Sequence, residues 1–121
     1  MDEWNKGLVA HLGIRIVEVT PERVVGELDV RDELKTTTAA VHGGTLMALA
    51  DTVGAVGTAA LGFKTATLES KTNFFAAATA GKLRAEATPL HKGKRSHVWQ
   101  TRVTDESGRL LSLTIQTQMI L

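Results

Sequence analysis

The chain has 121 residues, a formal net charge of +1, four histidines and no cysteine. That length supports one domain with a sizeable core, and the small net charge argues against nucleic acid as a partner. Without cysteine there are no disulfides and no thiolate metal sites. His11, His42, His91 and His97 show no metal-ligand spacing. With two Trp, three Phe and no Tyr, the chain lacks stacking platforms for single-stranded nucleic acid. No apolar stretch reaches membrane-spanning length and the N-terminus has no signal-like apolar region, so the expectation is a soluble cytoplasmic protein with no membrane partner.

In chain order, residues 2–11 read as a short amphipathic helix carrying Trp4, Leu8 and Val9, with Asp2 placed to cap it. Residues 13–31 read as a hairpin turning at Thr20-Pro21-Glu22-Arg23, with Val24, Gly26, Leu28 and Val30 sharing a strand face. Residues 32–41 form a loop whose Thr36, Thr37 and Thr38 satisfy backbone groups locally.

A helix follows from His42 to about Leu61. From Gly43 to Phe63 it holds one charged residue, Asp51. A helix that is apolar all round is a buried helix, and an unsatisfied polar group there costs roughly 2–7 kcal/mol. Asp51 is therefore either paired from a distance or facing a cavity where it has a task.

The remainder alternates as strand. Residues 65–76 place Ala66, Leu68 and Ser70 opposite Thr67, Glu69 and Lys71; residues 82–90 place Leu83, Ala85 and Ala87 inward. A basic connection at His91–Arg95 leads to a strand from Ser96, and Asp105-Glu106-Ser107-Gly108 makes the last turn. The final strand puts Leu111, Leu113, Ile115, Thr117 and Met119 on one face. Short turns between later strands predict an α+β fold, a curved antiparallel sheet wrapped around one long helix, with residues 1–121 as one domain.

The start of the central helix suggests chemistry. Its unpaired N–H groups at Gly43 and Gly44 suit a developing oxyanion, and Asp51 suits a base or nucleophile. Eight residues separate Gly43 from Asp51, or roughly 12 Å of helix, whereas a base works about 3 Å from its water. If both serve one carbonyl, they come most simply from two chains with antiparallel helices, giving a twofold dimer with two sites.

His42-Gly43-Gly44 with an acid at Asp51, followed by Pro89–Arg95 with Val98-Trp99-Gln100 and by Asp105–Leu110, resembles hotdog-fold acyl-CoA thioesterases of the phenylacetate-pathway (PaaI-type) and hydroxybenzoyl-CoA group. The resemblance implies that Gly43 N–H polarises the thioester carbonyl. It implies that Asp51 of the partner subunit is base or nucleophile, and that His42 positions the thioester. It places Lys92, Lys94, Arg95 and Ser96 against the CoA phosphates, and adds Gly44, Thr52, Asn73 and Phe74 as substrate contacts. Thr36 stands where several members carry Gln or Asn, and Ala76 and Ala77 replace a frequent Arg-Pro pair.

The implied substrate is an aryl- or medium-chain acyl-CoA. No cofactor is implied, since CoA is part of the substrate, and the implied assembly is a homodimer or homotetramer. Two other readings stand beside it: a hotdog dehydratase or hydratase, and a non-catalytic acyl-CoA sensor. Plainer roles also exist for single residues: a cap for His42, a bond to the preceding turn for Thr52, and a solvated hairpin for Lys92–Arg95.

Overall fold

The computed structural model describes residues 2–121. A 3₁₀ turn at Asp2–Trp4 precedes α1 (Gly7–Leu12), so the expected N-terminal helix is broken. Gly7 at φ 56° is the reason, since it cannot continue a right-handed helix from Trp4. The hairpin is β1 (Arg15–Thr20) and β2 (Arg23–Asp29); a second 3₁₀ turn, Asp32–Leu34, leads toward α2 (Gly43–Ala59). Then come β3 (Thr65–Phe74), β4 (Lys82–Lys92), β5 (Ser96–Thr104) and β6 (Leu110–Ile120).

One sheet contains all six strands in the order β1-β2-β4-β5-β6-β3, and every neighbouring pair is antiparallel. It wraps α2, the hotdog arrangement that the sequence predicts. Leu46, Leu49, Ala50, Val53 and Val56 of α2 pack with Val24, Leu28, Leu83, Ala85, Ala87, Trp99 and Val103 of the sheet in a single core.

Close approach of helix to sheet depends on glycines. A Cβ on Gly57 would lie 2.4 Å from Cζ2 of the fully buried Trp99, and one on Gly26 would lie 2.6 Å from Val53 Cγ2. Helix and sheet meet there at backbone distance.

Two strand faces differ from expectation. In β3 the register shifts between Thr67 and Glu69, so the simple alternation fails. Thr67, Ser70 and Thr72 oppose Gln118, Gln116 and Thr114, which are fully buried, while Ala66 and Lys71 oppose the exposed Met119 and Ile115. In β6 the residues turned toward the helix are therefore Ser112, Thr114, Gln116 and Gln118, and Leu113, Ile115, Thr117 and Met119 lie on the outer face. Leu111 alone of the predicted set is in the core, next to the register shift between Val103 and Thr104. On the polar stripe Gln116 bonds Asp51 of α2, while Thr114 and Gln118 bond Thr72 and Thr67 of β3.

Beneath the C-terminal half of α2, Trp99 Nε1 donates to Thr58 Oγ1 at 2.9 Å, and Thr58 Oγ1 lies 2.9 Å from His97 Nδ1. Trp99 can only donate, so the Thr58 oxygen accepts from it, with the His97 ring nitrogen in hydrogen-bond contact on its other side. Burial, then the Lys92 and His91 charges, push the His97 imidazole below its ordinary value. The native state thus refuses a proton that the unfolded chain accepts near pH 6.5. Stability is accordingly expected to hold above about pH 6.5 and to fall as the pH drops through the window below it. Urea midpoints between pH 7.5 and 5.5 measure this, and His97→Asn should flatten that part of the profile.

Candidate active site

The candidate site elements lie at the N-terminus and at the middle of α2. At the N-terminus, His42 is the cap residue in extended conformation (φ −64°, ψ 136°), and its Nδ1 accepts from Gly44 N–H at 2.7 Å. The Thr45 and Leu46 N–H groups both donate to the His42 carbonyl oxygen. Among the described residues nothing accepts from Gly43 N–H, so of the two glycines it is Gly43 that offers a free donor, while Gly44 spends its own on the cap. Since His42 Nδ1 is an acceptor, its proton is on Nε2, which is left to donate outward.

The approach to this end is held by backbone. His42 N–H donates to the Leu34 carbonyl at 2.9 Å, and Thr45 Oγ1 donates to the same oxygen at 3.0 Å. Phe74 lies over Gly43: a Cβ there would stand 3.1 Å from the ring. A cleft of about 290 Å³ beside His42 and Gly44 is lined also by Leu8, Leu12, Leu34 and Ala48. A larger cleft, about 480 Å³, lies between the N-terminal segment and β1 and contains none of the predicted site residues.

Eight residues further along α2, Asp51 Oδ1 accepts from Thr67 Oγ1 at 2.6 Å and from Gln116 Nε2 at 3.0 Å. It makes no ion pair among the described residues, and its residue is only partly buried, at the side of α2 next to β3. Asp51 is thus satisfied from β3 and β6 and is still open on one side. Gln116 and Thr67 lie 65 and 16 residues from Asp51 on alternating strands, where nothing in the sequence marks a polar residue as its partner.

The other predicted residues distribute as follows. Thr36 Oγ1 is 2.6 Å from Thr38 Oγ1 and accepts from the Thr38 N–H, within its own loop. Thr52 Oγ1 donates to the Ala48 carbonyl at 2.7 Å, the preceding turn of α2. Asn73 opposes Leu113 and so lies on the outer face of β3, away from Phe74 and α2. Lys92 donates to the Pro21 carbonyl, sits 3.9 Å from Glu22 and lies 5.9 Å from the centre of the Trp99 ring. Lys94 and Arg95 are exposed on the β4–β5 turn with no ion pair among the described residues. Ser96 contributes its carbonyl oxygen to that turn, accepting from Gly93 N–H at 2.9 Å. No group of three or more His, Asp or Glu among the described residues is arranged to hold a metal ion, and no helix among them is long and apolar enough to cross a membrane.

The profile of the Thioesterase superfamily matches residues 38–112, which include the whole of α2 and most of the sheet. The chain belongs to the Thioesterase superfamily. This thioesterase is similar to the 1,4-dihydroxy-2-naphthoyl-CoA hydrolase of Escherichia coli, at 31% identity with 100% of the chain and 90% of that protein covered. It superposes on the thioesterase HI1161 of Haemophilus influenzae with a TM-score of 0.94 and 25% identity, covering 99% of this chain and 86% of that one. SAV0944 of Staphylococcus aureus superposes with a TM-score of 0.93 and 28% identity over 95% of this thioesterase and 98% of that chain. Solved forms of SAV0944 replace a glutamate and a glutamine fifteen positions apart by alanine. The enzyme is a thioester hydrolase, and its fold is that of the hotdog thioesterases.

Proposed function

We propose that the enzyme hydrolyses an aryl-acyl-CoA or a medium-chain acyl-CoA, with Gly43 N–H of one subunit and Asp51 of its partner at each site. The observation that carries this is a pair of groups on α2: a free N–H at Gly43, its first residue, and a half-open carboxylate at Asp51, at its midpoint, too far apart to serve one carbonyl within a chain.

The sheet supports a site completed by two chains. β3 is one of the sheet's two edge strands and the longer of them, ten residues against six in β1, with most of its side chains exposed. A long exposed edge is a template for pairing. Thr67, beside Asp51, and Phe74, over Gly43, mark opposite ends of β3. Antiparallel pairing of two β3 edges about a twofold axis brings the Thr67 end of one against the Phe74 end of the other. The Asp51 of each chain thereby approaches the Gly43 of its partner. Exposed Ile115 and Met119 on the outer face give such a dimer an apolar surface for association into a tetramer.

The chemistry then follows from the groups. Asp51 takes a proton from water, whose oxygen attacks the thioester carbonyl carbon. Gly43 N–H, at the positive end of α2, holds the oxygen that becomes negative, and His42 Nε2–H lies beside it. Collapse breaks the C–S bond, and the departing thiolate takes the proton back from Asp51, leaving a carboxylic acid and CoA thiol. Exposed Lys94 and Arg95 on the β4–β5 turn are the cations for the CoA phosphates; Lys92 is already engaged with Pro21 and Glu22. Two likenesses support the reading. The Escherichia coli relative is named for an aryl-CoA substrate. The substituted glutamate and glutamine of SAV0944 share the fifteen-residue spacing of Asp51 and Thr36.

A thiol-trapping assay over aryl-, medium- and long-chain acyl-CoAs tests the proposal, with sedimentation to fix the assembly. The expected result is turnover of aryl or medium-chain thioesters by a species no smaller than a dimer. A catalytically active monomer would overturn the two-chain site. Binding of acyl-CoA without release of thiol would favour a sensor.

A further inference from the structure

The inner face of β6 is polar where a core strand face is normally apolar. Ser112, Thr114, Gln116 and Gln118 are all fully buried. Burying amides is costly unless they are bonded, and here the bonds converge on one carboxylate oxygen. Gln116 Nε2 donates to Asp51 Oδ1 at 3.0 Å and to the Asp51 carbonyl oxygen at 3.3 Å. Thr67 Oγ1 donates to the same Oδ1 at 2.6 Å. Behind Thr67, Gln118 Nε2 donates to Thr67 Oγ1 at 2.7 Å, and Thr65 Oγ1 donates to Gln118 Oε1 at 2.9 Å.

The direction of this chain is fixed by chemistry. An ionised carboxylate only accepts, so the Thr67 hydroxyl hydrogen points to Asp51 and its lone pair is left for Gln118. That turns the Gln118 amide NH₂ toward Thr67 and its oxygen toward Thr65. Gln116 is likewise oriented with NH₂ toward Asp51, and its Oε1 accepts nothing from the described residues. Space for that amide exists because position 54 is glycine: a Cβ there would lie 2.3 Å from Gln116 Oε1 and 2.6 Å from its Cδ. Oδ1 of Asp51 thus receives two donors, and among the described residues none reaches Oδ2.

We infer that Thr67 and Gln116 are positioning residues that hold Oδ1 and leave Oδ2 as the oxygen presented to the attacking water, with Gly54 giving Gln116 its place. The inference rests on the reading of Asp51 as the catalytic base. Neither residue touches substrate; each acts through the orientation and charge of the carboxylate. Loss of either donor lets the carboxylate rotate, and a misplaced base reduces the rate more than it reduces binding.

The test uses the intact enzyme and steady-state kinetics on its best acyl-CoA. Thr67→Val and Gln116→Leu are each expected to lower kcat about tenfold with KM within about twofold. Thr67→Ser, which keeps the hydroxyl, should return to within about twofold of wild type. Gly54→Ala should lower kcat comparably, and most of that loss should vanish in a Gln116→Ala background, where the amide it displaces is gone. Thr67 is exposed on an edge strand, so its variants are expected to fold, and thermal melts check this. Unchanged kcat in both Thr67→Val and Gln116→Leu, or a rise in KM alone, would overturn the inference. If Asp51→Asn is inactive while those two are unaffected, this inference alone falls. A fully active Asp51→Asn removes the base assignment and the inference together.

Discussion

Replacing Asp51 by asparagine is expected to lower kcat by about 10²–10⁴-fold, the usual contribution of a general base, while CoA affinity and thermal stability stay near wild type. The separation of effects follows from where the hydrogen bonds land. Both donors, Thr67 Oγ1 and Gln116 Nε2, meet Oδ1. Asparagine presents its own carbonyl oxygen there and keeps both bonds. Its NH₂ then stands where Oδ2 was, and a donor cannot take the proton of water. Alanine removes the acceptor altogether and leaves the fully buried Gln116 amide with only its long bond to the Asp51 carbonyl. Asp51→Ala should therefore cost about 1–3 kcal/mol of stability as well as activity. Turnover assays with urea unfolding of both variants separate the two effects. If Asp51 only tied the helix to β3 and β6, the asparagine variant would work at close to the wild-type rate.

A large loss of stability is expected from Gly57→Ala. The added methyl would sit 2.4, 2.5 and 2.8 Å from Cζ2, Cη2 and Cε2 of Trp99. Trp99 has no exposed surface and its indole N–H is tied to Thr58 one residue further along the helix, so the ring has nowhere to withdraw. Alanine gains about 1 kcal/mol of helix propensity over glycine, but overpacking of a filled core costs about 1–3 kcal/mol and here also strains the Trp99–Thr58–His97 bonds. A net loss of about 2 kcal/mol is a large part of a domain's 5–15 kcal/mol. Urea midpoints measure it. Gly54→Ala provides the comparison: its methyl meets the end of the Gln116 side chain rather than an aromatic ring, so it should disturb activity more than folding. A Gly57→Ala variant as stable as wild type would show that the helix shifts away from the sheet at low cost.

Both predictions show why some of the site was legible and some was not. His42, Gly43 and Asp51 could be read because they are close together in sequence and out of character there: two glycines opening a helix, and one charge in an apolar run. Their separation along the helix points to two chains if both serve one carbonyl. Thr67 and Gln116 could not be read, because each looks like an ordinary polar residue of an alternating strand. Lys92 looked like a member of a basic turn, and only the hairpin β1–β2 folded beside it gives its ammonium the Pro21 carbonyl.

By itself the sequence determined the long apolar helix with its lone acid, the strand succession after it, and turns such as Asp105–Gly108, where Gly108 takes φ 86°. These are local properties: periodicity, propensity and a residue that tolerates positive φ. Tertiary structure decided which face of β6 looks inward. Period-two alternation defines two faces but carries no sign, and hydropathy alone turns Leu113, Ile115 and Met119 toward the core. In the fold, inward Gln116 meets a carboxylate 65 residues upstream, and Thr67, just before the register shift in β3, meets the same oxygen. Most of this polar stripe finds its partners only in the folded molecule: Gln116 bonds Asp51 of the helix, and Thr114 and Gln118 bond Thr72 and Thr67 of β3, pairings that exist only once these elements have met.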